Sequence, residues 1–255
     1  MDTPAAKRRE QAFTKVELLV TIVVIAILAV VAAVVLDKAR QRARRIQCIN
    51  NLRQVSMGFR LFSADGSPDY PFTSLSNGAA VLPGITPFDS KTPADLWKLY
   101  QAAANDISSP RILVCPGDPV RISADSFGTN GPSTEFSHAA QRLNALSYFA
   151  SIDANEQYVE NIHMGDRYLT RDPEAKTEAP TAFLFGQHDV GYGSTSLPTL
   201  RWISSVHGGG GNATFMDGSG HFLTTAKLRE ALRKQGTATN RIWLPNSDAT
   251  GRGNP

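Results

Sequence analysis

The sequence predicts an α+β fold, in which one long N-terminal helix spans a membrane with its first half and packs on an antiparallel β-sheet. Three observations lead to this prediction. An uncharged apolar run occupies residues 18–36, and a helix-periodic apolar stripe continues to residue 62. Short β-like segments, separated by turn signals, follow in the second half of the chain.

The apolar run is long enough to cross a bilayer. Its 19 residues, 18–36, carry no charge, and Thr21 is their only polar side chain. A helix of this length measures about 28 Å, close to the thickness of the hydrocarbon core. A secretory signal peptide has an apolar core of about 7–15 residues with a cleavage site after it. Here the charged residues 37–45 follow instead, so we predict a membrane helix.

The helical pattern continues beyond the apolar run, because no proline or glycine interrupts it before Gly58. Five apolar residues, spaced alternately four and three positions apart, share one face: Cys48, Leu52, Val55, Phe59 and Phe62. Gly66 and Pro68 then end the helix. Residues 13–62 are therefore expected to form one helix of about 75 Å.

The rest of the chain predicts a domain of short helices and strands. Thr92, Pro93 and Asp95 supply an N-cap, a first-turn proline and an acidic residue for one helix. A second helix is predicted at 226–235, after a hairpin turn at 217–220. Strands are predicted at 112–115, 146–151, 181–186, 202–206, 213–216 and 221–224.

Charge is unevenly distributed along the chain. The net charge is +3 overall, but residues 1–62 carry +7 and the remainder carries −4. The basic residues flank the apolar run, and no nucleic-acid-binding motif accompanies them, so we expect no nucleic-acid partner. Because basic residues lie on both sides of the run, the positive-inside rule does not decide the orientation.

A short motif precedes the apolar run directly: residues 11–17 read QAFTKVE. This string resembles the processing site of type IV prepilins, in which a peptidase cuts before a residue, commonly Phe, that is then N-methylated. The resemblance implies cleavage between Ala12 and Phe13, methylation of Phe13, and a prepilin peptidase as partner. The sequence departs from the family at Ala12, where Gly is usual, and at Lys15, where an apolar residue is usual.

Glu17 corresponds to the acidic residue that stands fifth in mature pilins. A charged carboxylate costs about 2.5–3.5 kcal/mol at the centre of a membrane helix, and less near the interface. The resemblance implies that Glu17 pairs with the freed amino group of a neighbouring subunit during assembly. The alternative is that Glu17 extends to the lipid headgroups.

A second resemblance involves residues 44–54 and the pattern His207, nine residues, Asp217-Gly218. Both resemble the corresponding segments of a large group of bacterial pilin-like proteins, which end in a His-x9-Asp-Gly pattern. His207 and Asp217 either ligate a metal or fix the adjacent loop and turn. Since Asp before Gly is common in turns, we favour a structural role for His207, Asp217 and Gly218.

The two cysteines, Cys48 and Cys115, lie 67 positions apart. In a domain outside the cytoplasm they can form a disulfide, which the chain-entropy model values at about 4 kcal/mol for a loop of this size. The alternative is a pair of buried thiols. We favour the disulfide.

No constellation typical of catalysis is recognisable. The five histidines form no HExxH motif, and the cysteines form no CxxC pair. The glycine run at 208–211 predicts a flexible loop, since it lacks the strand-to-helix context of a phosphate-binding loop. We therefore predict that the protein is not an enzyme and has no catalytic residues, cofactor or metal.

The predicted organisation has four parts. They are a leader peptide (1–12), a transmembrane and assembly helix (13–36), a pilin-like α+β domain (37–244) and a flexible tail (245–255).

The resemblance implies a structural subunit of a type II secretion pseudopilus or a type IV pilus-like assembly. Its partners would be other pilin-like subunits, in a homopolymer or heteropolymer, and the lipid of the inner membrane. The subunit would cross that membrane once, with its body outside the cytoplasm, or enter a fibre in the periplasm or at the cell surface. The alternative is an unprocessed, membrane-anchored extracytoplasmic binding module or enzyme.

Overall fold

The structure is a computed structural model, and it divides the chain into two compact units, Met1–Arg42 and Ala43–Pro255. It describes residues 14–64, 96–128, 133–151, 154, 157–171, 186–189 (backbone only), 198–203, 207–236 and 241–245. The predicted cleavage site at Ala12 and Phe13, the helix cap at Thr92 and Pro93, and the tail from residue 246 lie outside these ranges.

Helix α1 runs from Lys15 to Ala64, a single helix of 50 residues. The prediction of one continuous helix is confirmed, with both ends two residues later than expected. Gly58 lies within the helix. Glycine suits this position because a larger side chain would have no room: a Cβ atom would stand 2.7 Å from Cγ1 of Ile107.

Within the first unit, α1 presents apolar side chains to its surroundings. The large apolar side chains of residues 16–36 are each between 48% and 70% exposed. A continuous apolar surface of this extent is unfavourable in water and typical of a membrane or protein contact. Helix α1 is long and apolar enough to cross a membrane, as the sequence predicts.

The second unit is built around an antiparallel sheet. Its described strands are β1 (Tyr148–Ser151), β2 (Ile162–Asp166), β3 (Leu169–Thr170), β4 (Gly186–Asp189), β5 (Arg201–Trp202), β6 (Gly210–Phe215), β7 (Gly220–Thr224) and β8 (Arg241–Leu244). Within the described residues, six of them form one sheet in the order β4-β8-β1-β2-β6-β7, while β3 and β5 pair separately. All of these pairings are antiparallel, so the predicted α+β class with an antiparallel sheet is confirmed.

Helices cover both faces of this sheet. Along β1, successive side chains alternate between two apolar clusters, as the pleat of a strand requires. The first cluster contains Tyr148 together with the stripe of α1 and the apolar side chains of α2 (Leu96–Ala102). The second contains Phe149 together with α3 (Thr225–Arg233) and the β3–β5 pair. In the predicted stripe, the first four residues are fully buried and Phe62 is half-buried.

One predicted strand is corrected, and several strands were missed. The strand predicted at 112–115 is wrong: Pro110–Leu113 is a 3₁₀ helix, because Ser109 caps it by accepting the Arg111 N–H at 3.3 Å and Pro110 suits a first turn. Conversely, β2, β3 and β8 were not predicted. Of the predicted segments at 181–186 and 202–206, residues 181–185 and 204–206 lie outside the described residues.

A bulge in β2 places His163 against α1. The pairing with β6 shifts between Ile162 and Met164, so His163 is the extra residue. The two residues of such a bulge point to the same side, which explains why Met164 lies in the cluster that faces α1. His163 Nδ1 then lies 2.7 Å from the hydroxyl of Ser56, and both side chains are buried.

The buried site keeps His163 uncharged. Burial, together with the smaller effect of the nearby Arg60 charge, lowers the pKa of His163 to about 3. The unfolded chain therefore takes up a proton below about pH 6.5, whereas the folded protein does not until about pH 3. The stability that depends on neutral His163 is complete above the unfolded pKa and is lost as the pH falls through this window.

We expect His163→Asn to flatten the acid limb of the stability curve. The wild-type free energy of unfolding should fall by up to about 1.4 kcal/mol for each pH unit below 6.5 because of this group, and the variant should lack that contribution. Denaturant unfolding of the full-length protein in detergent, between about pH 4 and pH 7, measures the slope. His138→Gln, at an exposed imidazole, is the control. An identical slope in the two variants would contradict the assignment.

Candidate functional site

A disulfide joins α1 to the body of the second unit. Cys48 lies on α1, Cys115 follows the 3₁₀ helix, and their Cα atoms are 4.8 Å apart. Both residues are buried, at 0% and 1% exposure. The pairing that the sequence analysis favoured is therefore present in the structure, and it closes a loop with a sequence separation of 67.

His207 packs against this disulfide, and Asp166 contacts His207. His207 Nε2 lies 3.4 Å from the Sγ atom of Cys115 and 3.4 Å from Oδ2 of Asp166. Asp166 ends β2, and its Oδ2 also accepts the backbone N–H of Asn212 at 2.7 Å. We call Cys48, Cys115, Asp166 and His207 the disulfide cluster.

The backbone on either side of His207 fixes its position. Arg45 of α1 donates from Nη2 to the His207 carbonyl at 2.9 Å, and its guanidinium lies 4.0 Å from the ring centre of Phe222. Gly208 and Gly209 follow with φ angles of +69° and +94°, a region that favours glycine. The chain can therefore turn sharply from His207 into β6.

Burial drives the ionisable groups of the disulfide cluster towards their uncharged forms. It raises the pKa of Asp166 to about 7, against the opposing effect of the Asn212 N–H. It lowers the pKa of His207 to about 4, and the charge of Arg45 acts in the same direction. The contact between the two side chains therefore has little ion-pair character at neutral pH.

A buried ion pair lies next to the disulfide cluster. Arg167 binds Asp118 through two bonds, Nε to Oδ2 at 2.8 Å and Nη2 to Oδ1 at 3.1 Å. Ser147 and Tyr168 donate their hydroxyls to the same carboxylate. Burial alone would raise the pKa of Asp118, but the bonds from Arg167 and Tyr168 outweigh it and hold the pKa below its ordinary value. The turn from Cys115 to Asp118, with a 2.8 Å bond between Asp118 N and Cys115 O, connects this pair to the disulfide.

The structure separates the two ends of the His-x9-Asp-Gly pattern. His207 precedes β6, and Asp217 follows it, so a strand of six residues lies between them. Asp217 Oδ1 accepts the Ser219 N–H at 2.7 Å, and Gly218 has a φ angle of +82°, as the predicted hairpin turn requires. A metal site shared by His207 and Asp217 is therefore excluded, and both residues contact neighbouring structure.

The glycine run at 208–211 was predicted to be a loop, but its second half belongs to a strand. Gly210 and Gly211 are buried residues of β6. A Cβ atom at Gly211 would lie 2.6 Å from the Trp202 ring, so the glycine allows the indole to pack on the strand.

Glu17 has a local partner that the sequence analysis missed. Oε2 of Glu17 accepts the backbone N–H of Thr14 at 2.8 Å. In return, the hydroxyl oxygen of Thr14 accepts the backbone N–H of Glu17 at 3.2 Å. This reciprocal arrangement is a capping box, which satisfies free donors at a helix start. The pattern Thr-x-x-Glu directly before an apolar run was the available signal. A simple membrane anchor can therefore also make use of a glutamate at this position.

A surface cavity of about 450 Å³ lies between the β6–β7 hairpin and α3. Phe215, Leu223 and Ala231 supply apolar lining, and Lys227 and His221 supply polar groups. Lysine and glutamate side chains also pair beside it, with Lys234 Nζ 2.6 Å from Glu230 Oε1. The cavity is large enough for a small ligand.

We expect Asp118→Ala to destabilise the protein by about 3–5 kcal/mol, because it leaves the Arg167 charge buried and uncompensated. The two side chains are 0% and 4% exposed. Asp125→Ala is the matched control, since it breaks an ion pair with Arg111 at the surface. The side chains of Asp125 and Arg111 are 56% and 67% exposed, and such a pair contributes about 0–1 kcal/mol to stability. Denaturant unfolding compares the two variants, and equal losses would contradict the importance assigned to the buried pair.

Comparison of the chain with protein-family models, curated proteins and solved structures gave no match. A functional proposal for this protein therefore depends on its own motifs and contacts, and on the resemblance of those motifs to prepilins.

Proposed function

We propose that the protein is a structural pilin-like subunit, made as a prepilin, of a type II secretion pseudopilus or a type IV pilus-like assembly. The observation that carries the proposal is the QAFTKVE string at residues 11–17, placed directly before the apolar half of α1. The proposed processing removes residues 1–12 and leaves an N-methylated Phe13 at the start of the assembly helix. Prepilin peptidase and other pilin-like subunits are the proposed partners.

The organisation of α1 supports this proposal. Its residues 18–36 offer apolar side chains on all sides, so they can be covered by lipid before assembly and by neighbouring helices within a fibre. In the second unit, Cys48, Leu52, Val55 and Phe59 bury the other half of the helix against the sheet. One helix therefore carries the membrane or fibre contacts and also the attachment of the domain.

The proposed location follows from the same features. The disulfide is typical of a compartment outside the cytoplasm. We propose a single-pass protein of the inner membrane with its body outside the cytoplasm, which enters a fibre in the periplasm or at the cell surface.

One alternative function has specific support. The capping box gives Glu17 a role in any N-terminal helix, and the cavity beside α3 can accept a small ligand. A membrane-anchored extracytoplasmic binding module, not processed at Phe13, would use both features.

We expect the mature protein to begin at N-methyl-Phe13. Intact-mass and N-terminal peptide analysis of the protein, purified from membranes of a host that expresses it with or without a prepilin peptidase, measures this. A chain that keeps Met1 in both samples would contradict processing and favour the anchored module.

Substitutions at the helix start separate the two roles of Glu17. Glu17→Gln keeps a side chain that can complete the capping box but removes the charge, whereas Thr14→Ala removes the cap and keeps the charge. If Glu17 pairs with a neighbouring subunit, Glu17→Gln should reduce recovery of the protein in sheared fibres at least about tenfold, while Thr14→Ala assembles.

Membrane insertion of both variants, measured by fractionation, is the control for expression and folding. The reverse pattern, with assembly normal in Glu17→Gln and lost in Thr14→Ala, would assign Glu17 to capping alone.

A further inference from the structure

Three basic residues of α1 follow the apolar run directly. Lys38, Arg40 and Arg42 lie on the same continuous helix, shortly after Leu36, and all three are exposed. We call these three residues the basic segment. A cluster of positive charges at the end of a membrane helix attracts a negatively charged partner.

The length of the apolar run sets the depth of the basic segment in a membrane. Residues 18–36 measure about 28 Å, close to the thickness of the hydrocarbon core, so the run ends near the boundary of the core. At about 1.5 Å per residue, Lys38, Arg40 and Arg42 stand about 3, 6 and 9 Å beyond Leu36 along the helix. The polar layer of a bilayer occupies roughly 5–8 Å on each side of the core. Lys38 and Arg40 therefore lie among the phospholipid headgroups, and Arg42 lies at their outer edge.

The three charges do not share one side of the helix. Since successive residues turn by about 100°, Lys38 and Arg42 lie about 40° apart, whereas Arg40 lies on the opposite side. A contact with a single protein partner or with nucleic acid favours charges on one face. Headgroups surround a membrane helix at this depth, so they offer phosphate groups to all three side chains. The arrangement therefore favours lipid as the partner.

Most of this positive charge is not neutralised by the chain itself. Arg40 Nη1 lies 3.7 Å from Oδ1 of Asp37, but the side chains are 70% and 73% exposed, and such a surface pair is weak. Lys38 and Arg42 have no carboxylate within ion-pair distance among the described residues. Three cations and one carboxylate give residues 37–42 a net charge of +2. The basic segment is therefore available to a partner.

Phosphate groups suit these side chains. A guanidinium binds a phosphate through two parallel N–H donors, and an ammonium binds it as a point charge. The long stems of lysine and arginine can lie along apolar surface while their charged ends stay in the polar layer. Cations at a membrane surface attract phospholipids with a net negative headgroup more strongly than zwitterionic ones.

We propose that Lys38, Arg40 and Arg42 bind the headgroup phosphates of anionic phospholipids in the leaflet where the C-terminal end of the apolar run emerges. The bound lipids neutralise the basic segment and keep the end of the run at the boundary of the hydrocarbon core. The inference rests on the membrane helix, which the pilin-like subunit and the anchored module share, and it does not depend on fibre assembly.

The test titrates phospholipids into the full-length protein in a neutral maltoside detergent and measures bound lipids by native mass spectrometry. Phosphatidylglycerol and phosphatidylcholine both contain a phosphate but differ in net headgroup charge, and each is titrated separately. We expect the wild type to bind phosphatidylglycerol with an apparent affinity at least about threefold higher than that for phosphatidylcholine. The Lys38→Gln/Arg40→Gln/Arg42→Gln variant should bind the two lipids equally. Arg40→Lys/Arg42→Lys retains the charges and should keep the preference.

A second triple variant is the matched control. Lys227→Gln/Arg233→Gln/Lys234→Gln removes three exposed cations from α3, so it changes the net charge of the chain by the same amount. It should keep the wild-type preference for phosphatidylglycerol. Flotation of each protein with phosphatidylcholine vesicles, after an alkaline wash, measures membrane insertion independently of lipid preference.

Equal affinities of the wild type for the two lipids, an unchanged preference in the Lys38/Arg40/Arg42 variant, or loss of the preference in the α3 variant would each overturn the proposal. Wild-type protein that floats with the vesicles but shows no preference would contradict lipid selection alone. Failure to float would contradict the membrane helix itself, and with it the proposed function. Equal lipid affinities combined with a loss of fibre recovery in the Lys38/Arg40/Arg42 variant would assign the basic segment to a neighbouring subunit instead.

Discussion

The side chains of α1 at positions 48, 52, 55 and 59 are completely removed from solvent, and the core on that side of the sheet forms around them. Burying a large apolar side chain contributes about 1.5–3 kcal/mol, so this stripe provides much of the attachment. Polar contacts set its register: Arg45 to the His207 carbonyl, Arg53 Nη2 to the Gly220 carbonyl at 3.0 Å, and Ser56 to His163. Glycine at position 220 of β7 leaves room for Arg53 of α1, and the bulge of β2 brings His163 to Ser56 of the same helix.

Much of the fold could be predicted from the sequence because its main signals are periodic. The stripe from Cys48 to Phe62 and the Asp217-Gly218 turn correspond to α1 and the β6–β7 hairpin. The failures have physical causes. Strand β2 reads IHMGD, and its buried polar side chains and glycine hide the strand pattern, because α1 and His207, distant in sequence, supply their partners. The segment Ile112–Cys115 has apolar residues typical of a strand, but the capping by Ser109 and Pro110 decides its conformation.

The candidate site was predictable only in part. Two cysteines outside the cytoplasm suggest a disulfide, and His207 stood out through its pattern with Asp217. The sequence could not show that His207 belongs with Asp166 and the sulfurs, since Asp217 is separated from it by the length of β6. Nor could it show the buried pair of Asp118 and Arg167, because neither residue lies in a recognisable motif. The capping box at Thr14 and Glu17, in contrast, was readable from local spacing.

The bond between Cys48 and Cys115 also determines how the protein carries mechanical load. If α1 is pulled at its N-terminal end while the C-terminal strands are held, tension reaches Cys48 along the helix and crosses directly to Cys115. The intervening residues, which include the rest of α1 and all of α2, are bypassed and bear no force along the chain. Extension of the oxidised protein is therefore shorter than that of the reduced protein by the length of this loop. In a subunit pulled from a membrane, the segment that carries Leu52 and Phe59 would therefore not be extended by the tension.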